Sequence, residues 1–167
     1  LPLKRQALTA EAAKPVGFFE VRRVCCSVPE FIAILEDNDE RLIQMRACLS
    51  ELLPQLSQIY FDDASAMIAW LAEHLSQVVL ISLDHDLPID PDHGTGRQVV
   101  DYLATQPPVC PVMVHTSNEF FAPGMMCVLT DAGWPAVRVY PHSDHDWVQR
   151  GWAEQIGRLV ASGWIRR

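Results

Sequence analysis

VVLISLDHDLPI, residues 78–89, is the stretch on which the architecture turns. It opens as an apolar run short enough for a fully buried strand, and it stops abruptly on Asp84, His85 and Asp86. Two carboxylates and an imidazole at the end of a buried strand put charged chemistry at one edge of a sheet.

Four further runs have the same character: FIAILE (31–36), IYF (59–61), PVMVH (111–115) and AVRVY (136–140). Helical patterns lie between them. Asp37, Asn38 and Asp39 offer caps for a helix with Leu42, Met45, Leu49, Leu52 and Leu53 at helical spacing, ended near Pro54. Asp62 or Asp63 caps a second, through Met67, Ile68, Leu71 and Leu75. A loop rich in Pro, Asp and Gly (88–96) leads to a third, with Val99, Val100 and Leu103, and Pro123 and Gly124 lead to a fourth, Met126 to Ala132. Residues 147–161 make the last, with Trp147, Trp152, Ile156 and Leu159 on its inner face. Five strands alternating with five helices predict an α/β domain over residues 31–161, its parallel sheet covered on both faces. Residues 1–30 read as a flexible leader with a short helix around Leu8 to Ala13, and residues 162–167 as a C-terminal tail.

The 167 residues suffice for one domain with a substantial core, not for two of ordinary size. The 49% hydrophobic and 20% charged residues are the balance of a soluble globular protein. Within the formal charge of -8, residues 1–30 carry a small basic excess and the remainder is strongly acidic; Lys4 and Lys14 are the only lysines. Such a body offers no face for DNA phosphates but accommodates a cation readily. No apolar stretch approaches the roughly 20 residues that span a bilayer, and no signal-peptide order is present, so no membrane partner and a cytoplasmic location are expected. Cys25, Cys26, Cys48, Cys110 and Cys127 lack C-x-x-C spacing and read as buried reduced thiols.

In a doubly wound sheet, ligands collect beyond the carboxyl ends of the strands. Those ends carry Glu36 and Asp37; Asp84, His85 and Asp86; His115, Thr116, Ser117 and Asn118; and Tyr140, Pro141 and His142. Several carboxylates in a small volume raise one another's pKa values and cost stability unless a cation sits among them. A hard divalent ion with oxygen ligands, Mg²⁺ or Mn²⁺, is the simplest compensator.

This pattern resembles the receiver domain of bacterial response regulators, over residues 31 to about 160. There an acidic pair ends the first strand, as Glu36 and Asp37 do, and a phosphoacceptor Asp ends the third with Pro four residues on, as Asp84 precedes Pro88. A Thr or Ser ends the fourth, where Thr116 and Ser117 stand, and a Lys-Pro pair ends the fifth, where this chain has Tyr140-Pro141. The resemblance implies a flavodoxin-like (βα)5 fold with a five-stranded parallel sheet. The lysine's role is vacant: Arg138 shares a strand face with Tyr140, but its planar fork is no ammonium point charge. D-H-D-L (84–87) with H-[ST]-x-N (115–118) is similar to the divergent group called cyclic-phosphate processing receiver domains. That resemblance implies an enzymatic role on cyclic phosphates, such as those of nucleotides or RNA ends.

An ion on Glu36, Asp37 and Asp84 would neutralise phosphate oxygens and acidify a bound water. His85 and His115 are the candidate general base and acid, joined by Asp86, while Thr116, Ser117 and Asn118 are candidate donors to phosphate oxygens. Asp84 attacking phosphorus itself is the other route. The alternative function is signalling: an atypical receiver accepting phosphate on Asp84, or a pseudo-receiver binding a protein partner. Asp86 reads equally as a ligand and as a cap, and His115 also as a core histidine. His85, next to Asp84, faces away from the ion unless the strand end bends. His142, Asp144, His145 and Asp146 read as loop solvation about as well as a second cation site. His93 either covers the pocket or is solvated, His74 is expected to be exposed, HGTG (93–96) to be a flexible turn, and Trp134 and Trp164 to pack structurally, an exposed Trp164 pointing instead to a partner surface.

Overall fold

The computed structural model describes residues 30–87, 93–141 and 146–166. The expected helix near Leu8 to Ala13, Cys25 and Cys26, Pro88, and the cluster of His142, Asp144 and His145 lie outside the described residues.

Period-two alternation lets one sheet serve two layers of helices. Along β1 (Phe31–Leu35), Ala33 and Leu35 enter one core cluster, and Ile32 and Ile34 enter the other. β3 (Val78–Leu83) and β4 (Val112–Val114) divide likewise: Ile81, Leu83, Val112 and Val114 on one side, Leu80 and Met113 on the other. The first cluster is closed by α2 (Ala64–His74), α3 (Gly96–Leu103) and α4 (Ala122–Asp131), through Met67, Leu71, Val99, Leu103, Met125 and Leu129. The second is closed by α1 (Asp39–Leu52) and α5 (Ala153–Ala161), through Met45, Leu49, Ile156 and Leu159. With β2 (Ser57–Phe61) and β5 (Ala136–Arg138) at the edges, the order is β2-β1-β3-β4-β5 and every pair is parallel. This is the expected flavodoxin-like sheet.

Several local expectations change. α4 starts at Ala122, not after Gly124, because Pro123 falls in the first turn, where a missing N–H costs no hydrogen bond. β5 ends at Arg138, two residues early. The last helix is a π-helical turn, Val148–Trp152, running into α5; Trp152, wholly buried, lies in the wide turn. The expected tail contributes to the core: Gly163 turns at φ +81°, and Ile165 is 1% exposed. His74 is half-buried, its ring stacked on Trp70 at 4.5 Å. Trp134 is buried and donates from Nε1 to Leu103 O at 2.9 Å, whereas Trp164 is exposed. Trp164 lines a cleft of about 640 Å³ with Glu30, Leu56, Val79 and Cys110, at the amino ends of the strands. No helix of the described residues is long and apolar enough to cross a membrane.

HGTG is a tight joint, not a flexible turn. Gly94 is left-handed at φ +71°, and Thr95 and Gln98 form a capping box in which Gln98 Oε1 accepts the Thr95 N–H at 3.1 Å. Gly96 N–H donates to His85 O at 3.1 Å, and a Cβ on Gly96 would lie 1.9 Å from the Asp84 carbonyl oxygen. The start of α3 thus presses on the backbone of the opening motif. Gly96→Ala is expected to lower stability by about 2 kcal/mol or more, read from equilibrium urea melts; an unchanged midpoint would refute the close approach.

Candidate functional site

Strand register brings the acids together. Leu35 pairs with Leu83, so the chain leaves β1 and β3 at the same level, at the switch where β1 lies between β2 and β3. Asp84 N–H donates to Leu35 O at 3.0 Å and Glu36 N–H to Phe61 O at 2.9 Å, continuing the ladders one residue past each strand. Ligand atoms of Glu36, Asp37 and Asp84 consequently lie within 4.8 Å of one another. Glu36 is fully buried, Asp84 is 3% exposed and Asp37 is half-buried.

A guanidinium answers this charge. Arg41, in the first turn of α1, places Nη2 2.8 Å from Glu36 Oε1, 3.4 Å from Asp37 Oδ1 and 3.3 Å from Asp84 Oδ2. The turn is set by Asn38, whose Oδ1 accepts the Arg41 N–H at 3.0 Å while its own N–H donates to Glu36 Oε1 at 2.9 Å. Burial is the largest influence on Glu36 and pushes its pKa up, but His115, Arg41 and the Asn38 N–H together outweigh it and hold the carboxyl below its ordinary value. Asp37 is raised by burial and by Glu36, and Asp84 by burial and by Glu36 despite His115 and Arg41. Glu36 Oε2 is buried with no hydrogen-bond partner. An orphaned carboxylate oxygen within a triad of hard oxygen donors fits a divalent ion such as Mg²⁺ or Mn²⁺.

His115 lies beneath this triad, fully buried. Its Nε2 is 3.3 Å from Glu36 Oε2, a close contact without the alignment of a hydrogen bond. Its Nδ1 is 2.9 Å from Ser82 Oγ, which accepts the Trp152 Nε1–H at 2.9 Å, and its ring stacks on Trp147 at 6.0 Å.

His85 belongs to a second group. β3 ends at Leu83 and the chain bends at His85, whose ring stacks on Phe121 at 4.3 Å. His85 Nδ1 is 2.7 Å from Asp86 Oδ1, and both Asp86 oxygens accept from Asn118 Nδ2 at 3.1 and 3.2 Å. Asn118 Oδ1 in turn accepts the N–H groups of Phe120 and Phe121, each at 3.2 Å, so one amide fixes the β4–α4 loop and the His85–Asp86 pair together. Thr116 is buried and its Oγ1 accepts the Asn118 N–H at 3.2 Å; Ser117 is exposed. His93 sits away from both groups, its Nδ1 3.3 Å from Asp62 O.

Arg41, Ser82, Trp152 and Phe121 were not legible as site residues. Arg41 reads as an ordinary helix-surface cation and Ser82 as a minor break in an apolar run; Phe121, beside the H-[ST]-x-N motif, was the available signal. Where a receiver has lysine, Tyr140 donates its hydroxyl to Glu119 Oε1 at 3.1 Å and takes the Arg138 guanidinium over its ring at 5.3 Å.

A five-stranded doubly wound sheet with an acidic cluster at its switch point defines a receiver-type domain. The solved structures agree on the fold. The receiver domain of a response regulator from Rhodospirillum rubrum is 16% identical, with TM-score 0.59 over 79% of this chain and 94% of that one. The phosphorylated cyanobacterial phytochrome response regulator RcpA is 19% identical, with TM-score 0.60 over 81% and 96%. The Mn²⁺-bound form of response regulator Rcp1 is 17% identical, with TM-score 0.60 over 83% and 97%. Residues 15–131 match the family described as the cyclic-phosphate processing Receiver domain, and the chain belongs to that family. The match begins inside the leader expected over residues 1–30. No curated protein matches the chain significantly.

The raised Asp84 pKa has a sign. A carboxyl whose folded pKa lies above its ordinary value penalises the fold once it ionises, and the penalty vanishes at low pH, where it is protonated folded and unfolded alike. Asn keeps an Oδ1 for the His85 and Asp86 N–H groups that Asp84 Oδ1 now accepts. Without divalent ions, Asp84→Asn is expected to be more stable than the parent at pH 7, the gain shrinking as pH falls toward the ordinary carboxyl value of about 4 and absent below it. Thermal melts across pH check this; a loss at pH 7 would mean that Arg41 overcompensates.

Proposed function

We propose that this domain binds a divalent ion on Glu36, Asp37 and Asp84 and hydrolyses a cyclic phosphate ester. The observation that carries the reading is the triad itself, with ligand atoms of Glu36, Asp37 and Asp84 within 4.8 Å of one another, followed in the chain by a His85 imidazole held through Nδ1 by Asp86. Membership of the cyclic-phosphate processing family supports the substrate class, and a structure of the same fold described as Mn²⁺-bound supports the choice of ion.

The ion supplies positive charge for phosphate oxygens and lowers the pKa of a bound water. Every other part falls to the chain. Asp86, oriented by Asn118, holds His85 so that Nε2 is the nitrogen left to take a proton from water. As that proton leaves, a new P–O bond forms, one ester P–O bond of the ring opens, and the departing oxygen takes up a proton, so that one water is consumed. Of the candidate donors to phosphate oxygens, Ser117 is exposed, whereas Thr116 is buried and the Asn118 amide is engaged with Asp86, so Ser117 is the one assigned that role. His115, buried with both nitrogens against Glu36 and Ser82, acts as a positioning residue for the Glu36 ligand and not as the second proton carrier. The substrate is a phosphorylated small molecule, a nucleotide or an RNA end carrying a cyclic phosphate, met in the cytoplasm.

A panel of 2′,3′-cyclic nucleotides with Mn²⁺ or Mg²⁺ tests this. His85→Ala is expected to lower turnover on the order of 10²-fold with ion affinity retained. His115→Ala is expected to weaken ion binding roughly 10- to 100-fold, with turnover falling in step. If no cyclic phosphate is consumed, and acetyl phosphate with Mg²⁺ gives a stable mass increase that Asp84→Asn abolishes, the domain is a signalling receiver and this reading is wrong.

A further inference from the structure

One nitrogen of Arg41 touches all three carboxylates of the triad, at 2.8, 3.4 and 3.3 Å. A nitrogen that close to Glu36, Asp37 and Asp84 together lies among them, in the space that a divalent ion with metal–oxygen distances of about 2.1 Å would need. Two cations cannot share that volume. The guanidinium is also poorly seated for a permanent structural pair. Arginine binds carboxylates best through its two-pronged fork, yet here Nη2 makes all three contacts while Nε is buried without a hydrogen-bond partner. The side chain is 26% exposed and grows from the first helical turn, so a path to water is open.

We propose that Arg41 is a built-in counter-cation that closes the metal-free triad and must be expelled for a divalent ion to bind. Ion entry is then an exchange of one cation for another. It relieves the orphaned Nε, and it frees a guanidinium at the mouth of a site where Tyr140, just past the fifth strand, stands in place of lysine. The inference rests on the divalent-ion reading of the triad but not on turnover.

Calorimetric titration of Mn²⁺ into the whole protein tests it. Arg41→Gln keeps the stem and removes the competing charge, and its Mn²⁺ affinity is expected to rise on the order of tenfold. Arg41→Lys, which retains a cation, is expected to stay within about threefold of the parent. In the parent protein the Arg41 Nε–H resonance should move on titration with diamagnetic Mg²⁺ toward the position of a solvent-exposed arginine. Equal or weaker Mn²⁺ binding by a folded Arg41→Gln, or a stationary Arg41 resonance at saturation, overturns the proposal, as does absence of ion binding in both proteins. If Arg41→Gln binds Mn²⁺ more tightly while no cyclic phosphate is opened, the exchange stands and the hydrolytic function falls.

Discussion

The burial of Glu36 is the constraint on which the rest of the site depends. An ionised carboxylate with no exposed surface is untenable alone, and the chain surrounds it with the Asn38 N–H, the Arg41 guanidinium and the His115 ring. Each partner then makes its own demand. His115, also fully buried, is met by Ser82, and Ser82 is met by the indole of Trp152 in the π-helical turn. A polar thread therefore crosses the α1/α5 side of the sheet from the last helix to the carboxylates, at positions where apolar residues would pack more simply. Trp152 and Ser82 hold His115 by hydrogen bonds, and the last link, His115 Nε2 to Glu36 Oε2, is a 3.3 Å contact without a hydrogen bond, while Arg41 meets the other oxygen of Glu36.

The arrangement also separates two kinds of imidazole. Alternation along β3 and β4 sends Ser82 and His115 to the α1/α5 side, whereas the bend after Leu83 turns His85 toward Phe121 at the start of α4. His115 thus meets a carboxylate inside the protein, and His85 meets one that is itself exposed, Asp86. Both rings are buried, His115 wholly and His85 at 5% exposure, so the difference lies in the partner: Glu36 has no exposed surface, whereas Asp86 faces water.

The strands were legible because a strand buried on both faces must be apolar along its length, and the three central runs obey this apart from Ser82. Their polar ends were legible for the same reason: charges that follow such runs have nowhere to go but the sheet edge. The gathering of Glu36, Asp37 and Asp84 followed from the fold once the strands were placed. Contacts between elements distant in sequence were not legible. Nothing in the spacing of Ser82, His115 and Trp152 marks them as one network, since it depends on a π-helical turn and on parallel register. Arg41 was hidden for a different reason: a cation in the first turn of a helix reads as solvated surface, and only the inward path of its side chain makes it part of the site. The shortness of β5 and the packing of Ile165 likewise depend on tertiary contacts.

The source of positive charge separates this domain from receivers that store a phosphoryl group. In that resemblance a lysine from the fifth strand pairs with the acyl phosphate; here Tyr140 stands two residues past the end of the fifth strand, and the strand's one cation, Arg138, lies against its ring. Arg138 Nε and Nη2 are buried without hydrogen-bond partners, so this guanidinium is spent on the aromatic face. Charge reaches the triad from the opposite side, through Arg41 on α1. A phosphoryl group at Asp84 would therefore meet a cation tied to the ligand carboxylates and not one anchored across the sheet, and it would have the His85–Asp86 pair as its neighbour. A site so built lacks the anchored lysine that clamps a phosphate, and the base proposed for it, His85, is the residue next to Asp84. Under the hydrolytic reading both features act in one direction, toward turnover and release of the phosphate.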